Sequence, residues 1–327
     1  LIKRGAKIRA GKGRIKGVVA GIKGFWLMSF ILYGKSIKGP DMPKFAYEVL
    51  HPEKHTSCVV FASPHSGRDY PWSFLRKTIL DEHFIRTSED AFVDKLFDCA
   101  PQFGTSFLKA GAPRAFVDLN RSADELDPAL IEGVRRVGQN PRIASGLGVI
   151  PRVVAGGRAI YRGKISEAEA QRRITLYWRP YHEMLQKLLD SAHRRFGQSV
   201  LIDCHSMPHE AMDGVAKGGM RRPDVVLGDR FGSSAAAEVV DRLEAAFVAA
   251  GFVVTRNTPF AGAYITQAYG RPNKGQHAVQ VEIDRSIYMN EQLIRPNGDF
   301  EQVQAAPRGV IKEAAAIGQG RVPLAAE

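Results

Sequence analysis

The sequence predicts an α/β fold from about residue 45 onwards, because short apolar runs alternate there with amphipathic segments. Several of these runs are almost continuously apolar, which is typical of strands covered on both faces of a sheet. Six runs are predicted to be strands: residues 58–62, 115–119, 199–204, 224–227, 252–255 and 278–283.

The segments between these runs carry helix signals. Ser166 and Glu169 have the spacing of a capping box, which opens a helix. After Pro180 the apolar residues recur on one helical stripe. Residues 234–250 are Ala-rich and are followed by Gly251, a common helix stop. The alternation of strands and helices is therefore consistent along the chain.

The positive charge is concentrated at the N-terminal end. Ten Lys or Arg residues and no Asp or Glu lie within residues 1–40, and without them the formal net charge of +12 falls to +2. We expect residues 1–40 to be a basic, poorly ordered extension and residues 41–327 to be a single domain. The near-neutral remainder argues against a nucleic-acid partner. A nucleic-acid or membrane binder that uses the basic extension is the distant alternative.

The sequence lacks the features of membrane-spanning and disulfide-rich proteins. Its longest apolar run is about half of the roughly 20 residues that a membrane span requires, so no span is expected. Cys58, Cys99 and Cys204 are odd in number and widely spaced. This argues against a disulfide framework and favours a reducing, cytoplasmic location. The sequence leaves the oligomeric state open.

Two histidines follow predicted strands at the point where each strand ends. His65 comes shortly after residues 58–62, and His205 directly after residues 199–204. In open α/β sheets, ligands bind beyond the carboxyl ends of the strands, and imidazole is a common zinc ligand. Both are therefore candidate metal ligands, although a lone histidine is more often a surface or hydrogen-bonded residue. Asp203 would share a strand face with His205 and could orient it.

Glu282 lies inside the predicted strand 278–283. A buried carboxylate needs a partner or a function, because its desolvation is costly. We interpret Glu282 as a candidate general base for a water molecule at a metal site. An ion pair with Arg285 is the equally weighted alternative.

Residues 114–121 combine Arg, Asp and Asn around the end of a predicted strand. Because the guanidinium group is a planar fork that matches a carboxylate, Arg114 and Arg121 are candidates for binding an anionic substrate or polarising its carbonyl group. An Arg–Asp pair that closes the strand end is the alternative. Residues 133–163 are rich in Gly, Arg and Pro and are predicted to form a loop that covers a site.

Four motifs together resemble the N-formylglutamate amidohydrolase family in order and spacing. The resemblance spans about residues 47–295, and members of this family hydrolyse N-formyl-L-glutamate to L-glutamate and formate in histidine degradation. The family is similar to zinc carboxypeptidases and aspartoacylases. The resemblance therefore implies a zinc-carboxypeptidase-like fold, a three-layer α/β/α sandwich with a mixed, mostly parallel central sheet. The motifs are Pro64-His65-Ser66-Gly67, Asp118-Leu119-Asn120-Arg121, Asp203-Cys204-His205-Ser206 and His277-Ala278-Val279-Gln280-Val281-Glu282.

The resemblance also implies roles for individual residues within a single catalytic amidohydrolase domain, 41–327. One zinc ion per chain is implied, with other divalent metals such as cobalt or manganese as alternatives. Glu89 is the alternative to Asp90 as the third ligand. The implied residues are His65, Asp90 and His205 for the metal, Glu282 and Arg114 for catalysis, and Asn120, Arg121, His277 and Tyr264 for substrate binding.

Departures from the family pattern leave the substrate less defined than the reaction. Arg68 stands where carboxypeptidase-like sites carry a Glu three residues after the first histidine, and Gly262-Ala263-Tyr264 replaces a turn with two glycines. The expected substrate is a small anionic N-acyl amino acid. The alternative is a deacylase or amidase that acts on another N-acyl amino acid or on a peptide.

Overall fold

The computed structural model describes residues 15–18, 29–34, 42–135, 140–215 and 221–318. A π-helical turn, Ile174–Trp178, joins the helix Glu167–Arg173 to the helix Arg179–Phe196. None of the described helices is both long enough and apolar enough to cross a lipid bilayer. The described strands are β1 (Ile15–Val18), β2 (Ser29–Tyr33), β3 (Tyr47–His51), β4 (Val59–Ser63), β5 (Ser106–Ala110), β6 (Ser199–Met207), β7 (Val225–Gly228), β8 (Val254–Arg256), β9 (Gln276–Asp284), β10 (Met289–Asn290) and β11 (Arg295–Pro296). The described α-helices are α1 (Trp72–Lys77), α2 (Val93–Leu96), α3 (Pro141–Ala144), α4 (Glu167–Arg173), α5 (Arg179–Phe196), α6 (Ala237–Ala249), α7 (Tyr264–Tyr269) and α8 (Phe300–Ala315).

Nine of the described strands form one mixed sheet in the order β1-β2-β3-β5-β4-β6-β9-β7-β8. The four central strands, β5, β4, β6 and β9, run parallel to one another, and β3 and β7 flank them antiparallel. Parallel strands have their carboxyl ends at the same edge of a sheet. The ends of β4, β6 and β9 therefore lie side by side.

Helices cover both faces of this sheet. In β4, Val60 and Ala62 belong to the apolar core under α5, whereas Val59 and Phe61 belong to the core under α6 and α8. All residues of β4 and β6 are buried, as expected when successive side chains point to two covered faces. The predicted α/β fold with three layers and a mixed central sheet is confirmed.

Five of the six predicted strands are present, as β4, β6, β7, β8 and β9. The prediction of a strand at 115–119 is wrong. The N–H groups of Phe116 and Val117 donate to the carbonyl of Pro113 at 2.9 and 3.2 Å, which makes this segment a turn. Its apolar residues are buried in the core, so the apolar run does not indicate a strand here. Two further strands, β3 and β5, are not predicted from the sequence, because each is only five residues long and mixes apolar with polar residues.

The predicted helices are confirmed. The Ser166 hydroxyl accepts a hydrogen bond from the Glu169 N–H at 3.3 Å, at the start of α4. Helix α5 buries its apolar stripe against the sheet. Helix α6 ends just before Gly251, which has φ +92°, a left-handed conformation that favours glycine.

Two described strands lie within the first 40 residues. β1 pairs with β2 and β2 pairs with β3, all antiparallel, so they extend the sheet at one edge. Both strands lie inside the segment 1–40, which is predicted to be a poorly ordered extension. Residues 1–14, 19–28 and 35–41 lie outside the described residues, and the division of the chain at residue 40 stays a prediction.

Candidate metal centre and active site

The carboxyl ends of the parallel strands bring the predicted site residues together. His65 lies two residues after β4, and His205 lies in β6 directly opposite Glu282 in β9. Side chains at directly opposite positions of parallel strands point to the same face of the sheet. The regular ladder therefore presents a histidine and a carboxylate side by side.

Three buried side chains from separate segments form a group that fits a metal ion. One ligand atom from each of His65, Asp90 and His205 lies within 4.8 Å of the other two. His65 Nδ1 is 3.3 Å and His205 Nδ1 is 2.9 Å from the same carboxylate oxygen, Asp90 Oδ2. Asp90 is the predicted third ligand, and the structure brings all three predicted ligands together.

A second carboxylate lies close to each histidine. His65 Nε2 lies 2.7 Å from Asp118 Oδ1, and His205 Nε2 lies 3.0 Å from Asp203 Oδ2. Such carboxylates set the tautomer and ring orientation of histidines that bind metals. With both Nε2 atoms held in this way, both Nδ1 atoms face Asp90.

The electrostatics of the group are those of a cation site. Burial alone would lower the pKa of His205, but the Asp203 and Asp90 carboxylates raise it well above its usual value. Burial would raise the pKa of Asp90, but His205 and His65 hold it well below its usual range. The buried His65 Nδ1 has no hydrogen-bond partner among the described residues. Two imidazoles and a carboxylate are compatible with a divalent metal, which would take the place of a proton here.

Asp90 rather than Glu89 faces this group. Asp90 Oδ1 accepts from the Arg285 guanidinium at 3.0 Å, and the Asp90 N–H donates to the His65 carbonyl at 3.0 Å. The Glu89 carboxylate instead makes a two-pronged ion pair with Arg86, at 3.0 and 3.1 Å. Glu89, the alternative third ligand, is therefore occupied elsewhere.

Glu282 is a buried carboxylate in the cavity wall. It is 8% exposed, and one of its oxygens accepts a hydrogen bond from the Gln280 amide at 2.7 Å. Burial raises the pKa of Glu282 to about 7; the nearby Asp90 adds to the rise, while His205 and Arg114 oppose it. The alternative partner, Arg285, donates to Asp90. Glu282 can therefore accept and return a proton near neutral pH.

Four residues of the segment 114–121 line the cavity: Arg114, Asp118, Asn120 and Arg121. Arg114 Nε donates to Asp118 Oδ2 at 3.0 Å, so the alternative Arg–Asp pair is present and belongs to the site. Arg121 donates to the carbonyls of Leu147 and Asn120 at 3.0 and 2.9 Å. The Asn120 side-chain amide lies 3.2 Å from His205 Nε2, and its oxygen accepts from a backbone N–H.

The sequence matches the family model for N-formylglutamate amidohydrolases over residues 57–289. The chain belongs to the N-formylglutamate amidohydrolase family. The predictions of this family and of a hydrolytic amidohydrolase are confirmed.

Named relatives of this amidohydrolase family member cover most of its length. An N-formylglutamate deformylase of Pseudomonas aeruginosa is 31% identical over 274 residues, which are 81% of this chain and 94% of that protein. An N-formylglutamate deformylase of Pseudomonas putida is 30% identical over 240 residues, 71% of this chain and 82% of that protein. The crystal structure of N-formylglutamate amidohydrolase from Ralstonia eutropha JMP134 matches with a TM-score of 0.76 and 33% identity, over 84% of this chain and 97% of that one.

Two predicted substrate-binding residues of this amidohydrolase family member lie away from the cavity. Among the described residues, neither His277 nor Tyr264 lines it. His277 is the second residue of β9, five residues before Glu282, and its ring accepts from the Ala236 N–H at 3.2 Å. A regular strand places it roughly 16 Å from the catalytic edge. Tyr264 starts α7 and packs on Trp178 and His182.

The structure adds residues that the sequence analysis does not assign to this amidohydrolase site. Asp118 joins His65 to Arg114. His182 and Trp178, on the helix beneath, donate to the carbonyls of Leu119 and Arg121 at 2.9 and 2.8 Å. Asp118 begins the motif 118–121, and the requirement that a metal-binding histidine has a carboxylate partner is a signal that could identify it. The sequence carries no local signal for the other two.

The cavity is about 580 Å³ in volume. It is lined by residues at the edge of the sheet and by several residues of the segment 142–157. The structure therefore places the predicted loop, 133–163, over the site, as far as that loop is described.

Proposed function

We propose that this chain hydrolyses the amide bond of N-formyl-L-glutamate and releases formate and L-glutamate, with one zinc ion held by His65, Asp90 and His205. The observation that carries the proposal is the meeting of these three buried donors with the Glu282 carboxylate at one edge of the sheet. Membership of the N-formylglutamate amidohydrolase family supports the substrate.

The donor set favours zinc as the metal. Two imidazole nitrogens and one carboxylate oxygen are a common ligand set of catalytic zinc sites, which keep a further position for water or substrate. A bound zinc ion supplies a Lewis acid that polarises the carbonyl group and lowers the pKa of a water molecule. Asp118 and Asp203, beside the Nε2 atoms, would leave both Nδ1 atoms available to hold the ion.

Glu282 acts as the general base and then as the general acid. Its carboxylate takes a proton from the water as the water oxygen bonds to the formyl carbon. When the C–N bond breaks, Glu282 returns the proton to the departing amine nitrogen, so that formate and L-glutamate leave. A pKa raised towards neutrality suits both transfers.

Arg114 stabilises the negative charge that develops on the carbonyl oxygen. Its Nε is occupied by Asp118, and its terminal nitrogens remain available to donate. A donor that is already oriented before the reaction stabilises an oxyanion without reorganisation. Arg121 binds a substrate carboxylate, since among the described residues the direct partners of its buried charge are two carbonyl oxygens.

The proposal is tested by metal analysis and formate release on the purified protein. We expect about one zinc ion per chain, formate from N-formyl-L-glutamate, complete loss of turnover after chelation and recovery on adding zinc. N-acetyl-L-glutamate and a formylated peptide serve as comparison substrates. Preferential cleavage of either comparison substrate would contradict the substrate assignment, and full activity without any metal would contradict the metal site.

A further inference from the structure

The cavity wall that belongs to the loop 133–163 is cationic. Residues 133–163 contain six arginines and no Asp or Glu. Arg152 is paired with Asp127 at 2.8 Å, and Arg158 lies over the Phe84 ring at 4.0 Å. Arg142 lines the cavity, and its guanidinium forms no ion pair or hydrogen bond with any described residue. The cavity therefore has an uncompensated positive charge at its mouth.

A second uncompensated charge lies deeper in the same cavity. The Arg121 side chain is buried, 6% exposed, and its direct partners among the described residues are two backbone carbonyls. Burial lowers the pKa of Arg121, and repulsion from Arg114 and Arg142 adds to the effect, whereas the more distant carboxylates of Asp118 and Glu125 oppose it without a direct ion pair. A buried cation without a carboxylate partner is costly, so an anionic ligand would stabilise it.

Hydrogen bonds connect the Arg121 side chain to the backbone of Arg142. Arg121 Nε donates to the Leu147 carbonyl at 3.0 Å, and the Leu147 N–H donates to the Arg142 carbonyl at 2.8 Å. The Asn140 side chain caps α3 by accepting from the N–H groups of Arg142 and Ile143. The Arg121 guanidinium group and the Arg142 backbone thus belong to one connected wall, and both residues line the cavity.

The other two arginines of the cavity are already neutralised. Arg114 is paired with Asp118, and Arg285 with Asp90. Only Arg121 and Arg142, among the described arginines that line the cavity, lack a carboxylate. Two free guanidinium groups match a ligand with two carboxylates.

We propose that Arg121 and Arg142 form a paired receptor for a dicarboxylic N-acyl amino acid, in which Arg142 binds the side-chain carboxylate. This rests on the proposed amide hydrolysis. The α-carboxylate is attached to the same carbon as the scissile nitrogen, so it lies near the reacting centre. Arg121 adjoins Asn120, whose amide is 3.2 Å from His205. The side-chain carboxylate extends further out, towards the exposed Arg142.

The pair gives selectivity by charge. An uncharged side-chain amide of the same shape would leave Arg142 without its anion, and charge-assisted hydrogen bonds are stronger than neutral ones. We therefore expect the protein to prefer N-formyl-L-glutamate over N-formyl-L-glutamine, and we expect Arg142 to account for most of that preference.

The test compares these two substrates in Arg142→Gln and in a matched control, Arg162→Gln. Arg162 is exposed on the same loop and does not line the cavity, so it controls for the loss of one positive charge. We expect Arg142→Gln to lower the ratio of kcat/KM values, glutamate over glutamine substrate, by roughly ten- to hundredfold, whereas the ratio in Arg162→Gln stays within about twofold. Arg142→Lys should recover part of the ratio. Residual hydrolysis of the glutamine substrate reports that each variant is folded.

A calorimetric measurement of L-glutamate and L-glutamine binding separates the two proposals. If formate is released but Arg142→Gln changes neither the kcat/KM ratio of the two substrates nor the ratio of L-glutamate to L-glutamine affinity, the proposed receptor is wrong and the proposed hydrolase activity stands. If neither substrate is hydrolysed but glutamate binds more tightly than glutamine and loses that advantage in Arg142→Gln, the hydrolase is wrong and the receptor stands. An equal loss for both substrates and both ligands would also overturn the assignment of Arg142.

Discussion

The two walls of the cavity are built in different ways. On the sheet side, His205 and Glu282 lie in paired strands, and backbone hydrogen bonds fix their separation. On the loop side, residues 114–121 and 142–157 contain turns, and side-chain contacts from a helix beneath hold the first of these segments. The sheet wall carries the proposed metal and proton chemistry, whereas the loop wall carries the arginines that bind anions.

The difference separates chemistry from selectivity. A rigid sheet edge suits groups that must hold a metal ion and transfer a proton at fixed distances. Loops tolerate change with little cost to the fold, so the loop wall is where the substrate range of this family member can vary. Substitutions on the sheet wall should therefore affect kcat or metal content, whereas substitutions of the loop-wall arginines proposed to bind substrate carboxylates, Arg121 and Arg142, should mainly affect KM.

The largest effect is expected on the sheet wall, from Glu282→Gln. This change keeps the shape of the side chain but removes the proton acceptor, so kcat should fall by roughly a thousandfold, with bound zinc and the melting temperature nearly unchanged. Steady-state kinetics and metal analysis check this. Glu238→Gln, at an exposed position on α6, should behave as the unmodified protein. A Glu282→Gln protein that retains most of its kcat would remove Glu282 from the mechanism.

A smaller effect is expected from the two carboxylates that orient the histidines, one on each wall. Asp203→Asn should weaken zinc binding by about ten- to a hundredfold, because it removes the charge beside His205, while kcat at saturating zinc changes little. Asp118→Asn should weaken zinc binding similarly and also lower kcat, since Asp118 holds Arg114 as well as His65. A chelator competition titration and kinetics at saturating zinc give both quantities. Identical kcat losses in the two variants would contradict the division between the walls.

The smallest effect is expected from Trp178→Phe, beneath the loop wall. The change keeps the aromatic packing and removes the N–H that donates to the Arg121 carbonyl at 2.8 Å. A neutral hydrogen bond of this kind contributes about 1 kcal/mol, so KM should rise by about two- to tenfold without loss of kcat or zinc. Trp72→Phe, at an exposed position, is the matched control. A fall in kcat or zinc content with unchanged KM would show that Trp178 supports the sheet wall instead.

The sheet wall could be predicted from the sequence because its residues follow or interrupt apolar strands. His65, His205 and Glu282 are visible as polar residues at such positions, and Asp90 follows from the family resemblance. The same reasoning fails for His277. Its motif ends in Glu282, but both residues lie in the extended strand β9, with His277 near its start and Glu282 five positions later. Because an extended strand rises about 3.3 Å per residue, residues that are close in sequence can lie far apart in space.

The loop wall could be predicted only in part. The chemistry of Arg114 and Arg121 identifies them as candidates. The turn between them is predicted to be a strand, because most of residues 115–119 are apolar, as buried residues commonly are. The contacts of Trp178 and His182 depend on how α5 and the π-helical turn pack against residues 119–121. Tertiary packing of this kind leaves no periodic signal in the sequence. Tyr264 was assigned from a turn motif, and the structure packs it against that same helix.

The long pairing of β6 with β9 has a consequence for how the site tolerates change. Nine residue pairs align, from Ser199 with Gln276 to Met207 with Asp284. Sliding β9 by a single position would put an aliphatic residue next to His205 and turn the acid towards the opposite core. One inserted amino acid within β9 should thus abolish turnover even where the protein still folds, whereas insertions in connecting segments that do not line the cavity should be tolerated.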